Sequence, residues 1–331
     1  MKICLRRRDF IAGLGGAATW PLAARAQQPK MPLIGFIHAG ISAQYDFVLG
    51  GFRQGLREAG YVESRNVAVE WRWAEGHNER VPGILADLVA RQVAAIAVLG
   101  STVGAQAAKA ATKTIPIVFM MGGDPVDFGL VASLARPGAN ITGVAILNVP
   151  VIAKRLDLLH QMLPRAQTIA LLVNPSNPRF AEAERRETQS AAQALGLQLY
   201  VVDAQREDEI ASSFSKLTTQ GVGAVLISAD AYFFNQFSQI SALAARHAIP
   251  AIAQFREYPA VGGLMSYGSD IAEAYHEAGA YMARVLKGEK PAEMPVMQPT
   301  KFQFVINLKT AKALGLEIPA TVLALADEVI E

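Results

Sequence analysis

The chain has 331 residues, 51% of them hydrophobic and only 18% charged, a balance that buries more than one core and excludes a disordered chain. The formal charge is +2, yet Lys2, Arg6, Arg7, Arg8 and Arg25 against Asp9 put a net +4 into the first 26 residues and leave about −2 for the rest, so no nucleic-acid partner is expected. The lone cysteine, Cys4, sits inside that basic segment. The remainder therefore has no disulfide framework, thiolate metal site or thiol nucleophile.

Residues 1–26 read as an export signal. Arg7 and Arg8 precede Asp9-Phe10-Ile11, an apolar and small-residue stretch runs from Phe10 to Leu22, and Ala24-Arg25-Ala26 supplies small residues around a cleavage position. The paired arginines with Phe10 two places on are similar to a twin-arginine signal, although Arg6 departs from the usual Ser/Thr and no lysine follows. The stretch is shorter than the ~20 apolar residues a bilayer span requires, and Gly13, Gly15 and Gly16 interrupt it. The expected product is a soluble periplasmic protein beginning near Gln27.

From Leu33 onward, short apolar runs alternate with helix-length amphipathic stretches, the pattern of a parallel α/β sheet. Leu33 to Ile37 is the first strand, and Val48, Phe52 and Leu56 recur at helical spacing up to Gly60. Val67–Trp73, Ala95–Leu99, Ile115–Met120 and Ile141–Ile146 supply four more strands. A second series starts at Thr168 with Ile169 to Val173, then Asn177-Pro178 as helix cap and first-turn proline, a helix to Gly196, and strands at Leu197–Val202, Ala224–Ser228 and Ile249–Ala253. Ile115-Pro116 and Ile249-Pro250 enter corresponding strands. The fold class is thus α/β, with two similar doubly wound parallel-sheet lobes.

Such sheets bind ligands beyond the carboxyl ends of their strands. The residues placed there are His38 to Ser42, Gly100-Ser101-Thr102, Gly122-Gly123-Asp124-Pro125, Asn148, Asn174 to Asn177, Asp230 and Arg256-Glu257-Tyr258. Ser101 and Thr102 at a strand-to-helix turn suit a carboxylate, though capping alone accounts for them. Asp230 before Tyr232-Phe233-Phe234 has the best claim on a ligand cation or amine; Asp124 before Pro125 reads equally as an N-cap. Tyr232, Phe234, Tyr258 and Tyr267 could wall a cleft or pack a core. The five histidines show no metal-ligand spacing, no Gly-x-Ser-x-Gly elbow appears, and neither a P-loop lysine nor a Gly-x-Gly-x-x-Gly turn is present. No cofactor and no metal are expected.

Three stretches carry a family resemblance. They are Gly123-Asp124-Pro125-Val126 leading to Leu134-Ala135-Arg136-Pro137-Gly138-Ala139-Asn140-Ile141-Thr142-Gly143, then Gly262-Gly263-Leu264-Met265-Ser266-Tyr267-Gly268, then Val305-Ile306-Asn307-Leu308-Lys309-Thr310-Ala311-Lys312. Together, over the whole mature chain, they resemble the ABC transporter substrate-binding family that includes tryptophan-binding-like proteins. Ala139 departs where a second glycine is common.

The resemblance implies a type I periplasmic-binding-protein fold with a three-strand hinge. The crossings are placed near Ile146–Asn148, Ser269–Ile271 and Gly288–Pro295, giving lobe 1 as 27–146 plus 271–289 and lobe 2 as 147–270 plus 290–331. It implies a monomer, not an enzyme, that captures a small solute and presents it to an inner-membrane permease with its cytoplasmic ATPase. An amino acid or related small organic compound is the expected solute, with aromatic amino acids leading. Its ligand-binding set would be His38, Ser42, Ser101, Thr102, Asp124, Asn148, Asn174, Asp230, Tyr232, Arg256 and Tyr267, with Ser101 and Thr102 on the carboxylate, Asp230 on the ammonium, and Tyr232 or Tyr267 on the side chain. Two alternatives stay open at this point: an exported α/β enzyme using Asp124 and Asp230, and an exported ligand-sensing domain.

Overall fold

The computed structural model describes residues 31–40 and 45–331. The export-signal segment and Ser42 lie outside the described residues. The first lobe contains β1 (Leu33–His38), α1 (Asp46–Glu58), β2 (Ala68–Trp73), α2 (Val81–Ala90), β3 (Ala95–Leu99), α3 (Thr102–Ala111), β4 (Ile117–Met121) and β5 (Ile141–Ala145). The second contains α4 (Ile152–Met162), β6 (Thr168–Val173), α5 (Pro178–Ala194), β7 (Gln198–Asp203), α6 (Glu207–Thr219), β8 (Ala224–Ile227), α7 (Ala231–Asn235), α8 (Phe237–Arg246), β9 (Ala251–Ala253), α9 (Glu257–Ala260) and β10 (Met265–Ser269). The chain returns to the first lobe as α10 (Ile271–Leu286) and ends in the second as β11 (Phe302–Asn307), α11 (Leu308–Ala313), α12 (Ala320–Leu323) and β12 (Glu328–Ile330).

Strands β3, β4 and β8 are buried along their whole length, which explains their unbroken apolar runs: helices cover both faces of each sheet. The first sheet has the order β2-β1-β3-β4-β5, and the second contains β7-β6-β8-β9-β10, the same permutation one series later. The repeated Ile-Pro entry has the same job in both. Pro116 O accepts from Ile96 N at 2.9 Å, and Pro250 O accepts from Val225 N at 2.9 Å, so each proline adds a ladder bond through its carbonyl while contributing no N–H.

The second sheet then departs from the parallel expectation. β11 runs antiparallel to β10, with Ser269 opposite Phe302, and β12 pairs parallel with β11. The cause is geometric. β11 enters from the hinge at the end where β10 leaves, so it must run back along its neighbour.

The third crossing also lies later in the chain than Gly288–Pro295. Gly138 N donates to Ala292 O, Val296 N to Leu134 O, and Met297 N to Gly143 O, while Thr142 Oγ1 donates to Met294 O at 2.8 Å. Met294 and Val296 are buried by this pairing. Residues 291–297 thus stay with the first lobe, and the chain crosses over 298–301. At the other crossings, Ser269 Oγ donates to Ile146 O at 3.0 Å and ties two of the connections together.

Helix α10 lies against α1 with the two backbones in contact. A Cβ on Gly55 would sit 2.1 Å from His276 O, and one on Gly279 2.2 Å from Phe52 O, so a side chain at either position would push the helices apart. This close approach carries Tyr275, one turn before Gly279, to the carboxyl end of β1.

Candidate functional site

In a sheet of order 2-1-3-4-5 the strand order reverses between the first and third strands, and the crevice opens there. The first lobe places His38 and the Gly100-Ser101-Thr102 turn at that point, after β1 and β3. The second places Asn174 and Asp230 at the equivalent point, after β6 and β8. The two points face one another, and these residues line a cavity of about 730 Å³ of empty space, its mouth included.

On the first lobe, Ser101 caps α3: its backbone is extended and its Oγ accepts from Gly104 N at 2.8 Å. Its hydroxyl hydrogen remains available to a ligand beside the first N–H groups of the helix. Gly100 has φ +71, and a Cβ there would lie 2.6 Å from His38 Nε2. Both the left-handed backbone and the imidazole require glycine at this position. His38 is fully buried, and burial lowers its pKa to about 3. Its Nδ1 accepts from Gly40 N at 2.8 Å, and its Nε2 lies 2.5 Å from Tyr275 Oη. Tyr45 packs its ring 4.0 Å from the imidazole and 4.9 Å from Phe234 of the opposite lobe, so aromatic rings meet across the cleft.

On the second lobe, Asp230 caps α7 by accepting from Tyr232 N at 3.0 Å. The same Oδ1 accepts from Asn174 Nδ2 at 2.8 Å, and Oδ2 accepts from Asn177 Nδ2 at 2.9 Å. This carboxylate is only 8% exposed, and its three hydrogen-bond donors are all uncharged. Beneath it, Glu184 is fully buried and accepts from Ala229 N at 2.9 Å and from Ser228 Oγ. Burial pushes its pKa up to about 7 against the pull of buried Arg155. Arg155 donates to Asn148 O and is itself lowered to about 10 by burial. Asn148 lines the cavity, and its buried Oδ1 is unpaired among the described residues. Tyr232 is partly buried, and burial is the main cause that pushes its phenol up to about 12.

Seven of the expected residues therefore border one cavity: His38, Ser101, Thr102, Asn148, Asn174, Asp230 and Tyr232. Three do not. Asp124 accepts from Val126 N at 2.8 Å, a local turn bond, and lies on a separate outer groove with Asp127, Pro150 and Arg179. Arg256 forms a two-bond ion pair with Glu328 at the exposed edge made by β12. Tyr267 stacks on Phe302 at 5.9 Å because the two-residue period of β10 turns it, with Met265, toward the core under α4. With Asp124 outside the cavity, the Asp124/Asp230 acid–base pair does not converge. Among the described residues no group of three His, Cys, Asp or Glu could hold a metal, and no helix is long and apolar enough to cross a membrane.

The structure adds Tyr45, Asn177, Phe180, Phe255 and Tyr275 to the lining. Asn177 carries a sequence signal with a second meaning: it stands at the N-cap position of α5, but its side chain makes no cap bond and donates to Asp230 instead.

Two doubly wound lobes, joined by three crossings and meeting at a cavity between their facing switch points, are the type I periplasmic-binding-protein architecture. The chain matches the ABC transporter substrate binding protein family over residues 38–330 and belongs to that family. Among curated proteins it is 27% identical to a tyrosine-binding protein of Clostridioides difficile over 267 residues, 81% of this chain and 76% of the relative. Among solved structures it is similar to an ABC domain from Streptococcus pneumonia in complex with L-Trp, with 28% identity, TM-score 0.83, and 90% of this chain and 99% of that one covered. A ligand-free, open substrate-binding protein from Clostridium difficile overlaps with TM-score 0.64 at 24% identity, covering 90% of this chain and 99% of that one.

Proposed function

We propose that the protein is the extracytoplasmic receptor of an ABC importer that captures an amino acid with an aromatic side chain, closes its lobes around it and delivers it unchanged to a membrane permease driven by a cytoplasmic ATPase. The observation that carries this reading is Asp230: a buried carboxylate held only by neutral donors, facing the hydroxyl-bearing N-terminus of α3 across the cavity. The ligand ammonium sits at Asp230 and Asn148 Oδ1. Its carboxylate lies at Ser101, Thr102 and the first N–H groups of α3. Tyr45, Tyr232 and Phe234 take the side chain.

The ligands of two relatives, tyrosine and L-Trp, support the solute class. A ligand that touches both lobes stabilises the closed state, whereas one that touches a single lobe shifts nothing. The protein works as a monomer and needs no cofactor.

The test is a thermal-shift screen of the ligand-stripped protein lacking residues 1–26 against amino acids, aromatic acids, nucleosides and sugars. L-tryptophan or L-tyrosine at ~100 times its dissociation constant should add about 2.7 kcal/mol of stability. Trp73, whose ring lies 5.1 Å from that of His38, reports closure by fluorescence when L-tyrosine is the ligand. A shift with a sugar or nucleoside and none with any amino acid overturns the reading.

A further inference from the structure

We propose that His38 is a positioning residue that fixes the Tyr275 hydroxyl as a one-way hydrogen-bond donor to the ligand's carboxylate. The proposal rests on the amino-acid reading above and assigns a group that its carboxylate contacts leave out. The argument is a count of protons. Gly40 N–H donates to His38 Nδ1 at 2.8 Å, which occupies that nitrogen's lone pair and leaves no room for a proton on it. The ring is fully buried, and burial keeps it neutral, with its pKa near 3. Its single proton is therefore on Nε2.

Nε2 lies 2.5 Å from Tyr275 Oη, so the imidazole donates and the phenol accepts. Tyr275 has a pKa raised well above 10 by burial and keeps its own proton. That proton must point away from the imidazole. Among the described residues Tyr275 Oη has no hydrogen-bond partner except His38, and Tyr275 borders the cavity.

Gly100 shows where the imidazole–phenol pair lies. A Cβ at Gly100 would sit 2.6 Å from the same Nε2, which puts the phenol beside the turn that opens α3. The donor thus joins Ser101 on the first lobe, opposite Asp230 on the second. Both nitrogens of His38 are already engaged, so the histidine acts on the ligand only through the tyrosine. The ring is held by contacts on its faces as well, with Tyr45 at 4.0 Å and Trp73 at 5.1 Å between ring centroids.

Two measurements on the protein lacking residues 1–26 test this. Calorimetry compares wild type with Tyr275→Phe against L-tryptophan and against tryptamine, which has the ring and the ammonium but no carboxylate. Loss of a hydrogen bond to a charged group should weaken L-tryptophan about tenfold to a hundredfold and leave tryptamine within about twofold. Equal losses for both, or no loss for L-tryptophan, overturn the donor role.

Nitrogen-15 NMR of the ligand-free wild-type imidazoles should show His38 protonated at Nε2 and bare at Nδ1. An Nδ1–H tautomer or an imidazolium overturns the proposal whatever the ligand. Failure of wild type to bind either L-tryptophan or L-tyrosine overturns the amino-acid reading, and the imidazole spectrum then decides the donor geometry by itself.

Discussion

Replacing Asp230 by asparagine separates charge from shape at the centre of the cleft. The carboxamide of Asp230→Asn keeps an acceptor for Tyr232 N and can still accept from one of the two asparagine amides, and Asn is as good an N-cap as Asp. The oxygen that serves Tyr232 N also serves Asn174 Nδ2, so it is Asn177 that meets an NH2 group in place of an oxygen and loses its bond. A hydrogen bond to a carboxylate is worth about 1.5–3 kcal/mol, so the melting temperature should fall by about 3–6 °C. Binding should change far more. An ammonium about 4 Å from the carboxylate gains about 4 kcal/mol at an effective dielectric of 20, and losing one partner of such a pair typically costs about 2–5 kcal/mol. The dissociation constant of L-tryptophan or L-tyrosine should therefore rise at least about thirtyfold, read by calorimetry, with the circular dichroism spectrum unchanged. An affinity within about threefold of wild type would refute the assignment of Asp230 to the ligand cation.

Two further perturbations follow from groups that do not face the ligand. Arg179 reaches from α5 across the outer groove, donating to Asp127 O at 3.0 Å and Phe128 O at 3.3 Å, with its guanidinium 5.1 Å from the Phe128 ring centroid. These exposed contacts total about 1 kcal/mol, so Arg179→Ala should weaken ligand binding about fivefold by disfavouring closure; unchanged affinity would show that the contact is neutral between open and closed forms. Glu184, raised to about 7 from an unfolded value of 4.5, makes the native state the stronger proton binder between those pH values, so its contribution to stability falls as pH rises through that window. His38, lowered from 6.5 to about 3, does the opposite, because the unfolded state takes up the proton first and stability falls as pH drops below 6.5. The two oppose each other between pH 4.5 and 6.5. Glu184→Gln removes one of them, so its melting temperature should drop more steeply than that of wild type between pH 6.5 and 4.5; parallel curves would refute the assignment.

The strands, their repeat and the capping serine were legible because apolar runs and strand-end polar residues follow directly from a buried parallel sheet. What strand-end position conveys is depth along the strand, and direction is a separate matter. Asp124 follows β4 and Arg256 follows β9, corresponding strands one place away from the switch point. The cavity reaches Gly122 and Phe255 on those connections and stops there. Tyr267 lies on the wrong face of β10, a matter of register that a single odd or even step decides. Tyr275 was concealed for another reason. It shares the stripe Tyr275, Ala278, Met282 and Val285 that packs α10 into the first lobe, and nothing in a 3.6-residue period separates the one hydroxyl that meets a histidine from the apolar atoms around it. Leu147, at φ +54 immediately before Asn148, shows the same limit in the backbone, since a leucine gives no sign of a left-handed turn.

The repeated strand order has a chemical consequence that neither copy has alone. Both lobes build a crevice at the same topological point, but they fill it with opposite polarity. The first offers a capped helix N-terminus, a serine hydroxyl and a neutral imidazole–phenol pair. The second offers a carboxylate held by amides. A zwitterion bridges such a pair end to end, and either charge alone engages only one lobe. If the solute is the proposed amino acid, closure depends on its carrying both groups at the right separation, and discrimination against amines and acids arises from the lobe equilibrium as well as from contact. An amine lacking the carboxylate should therefore bind with little contraction in X-ray scattering, whereas the matching amino acid contracts the particle. Equal contraction by both would show that the second lobe closes without help from the first.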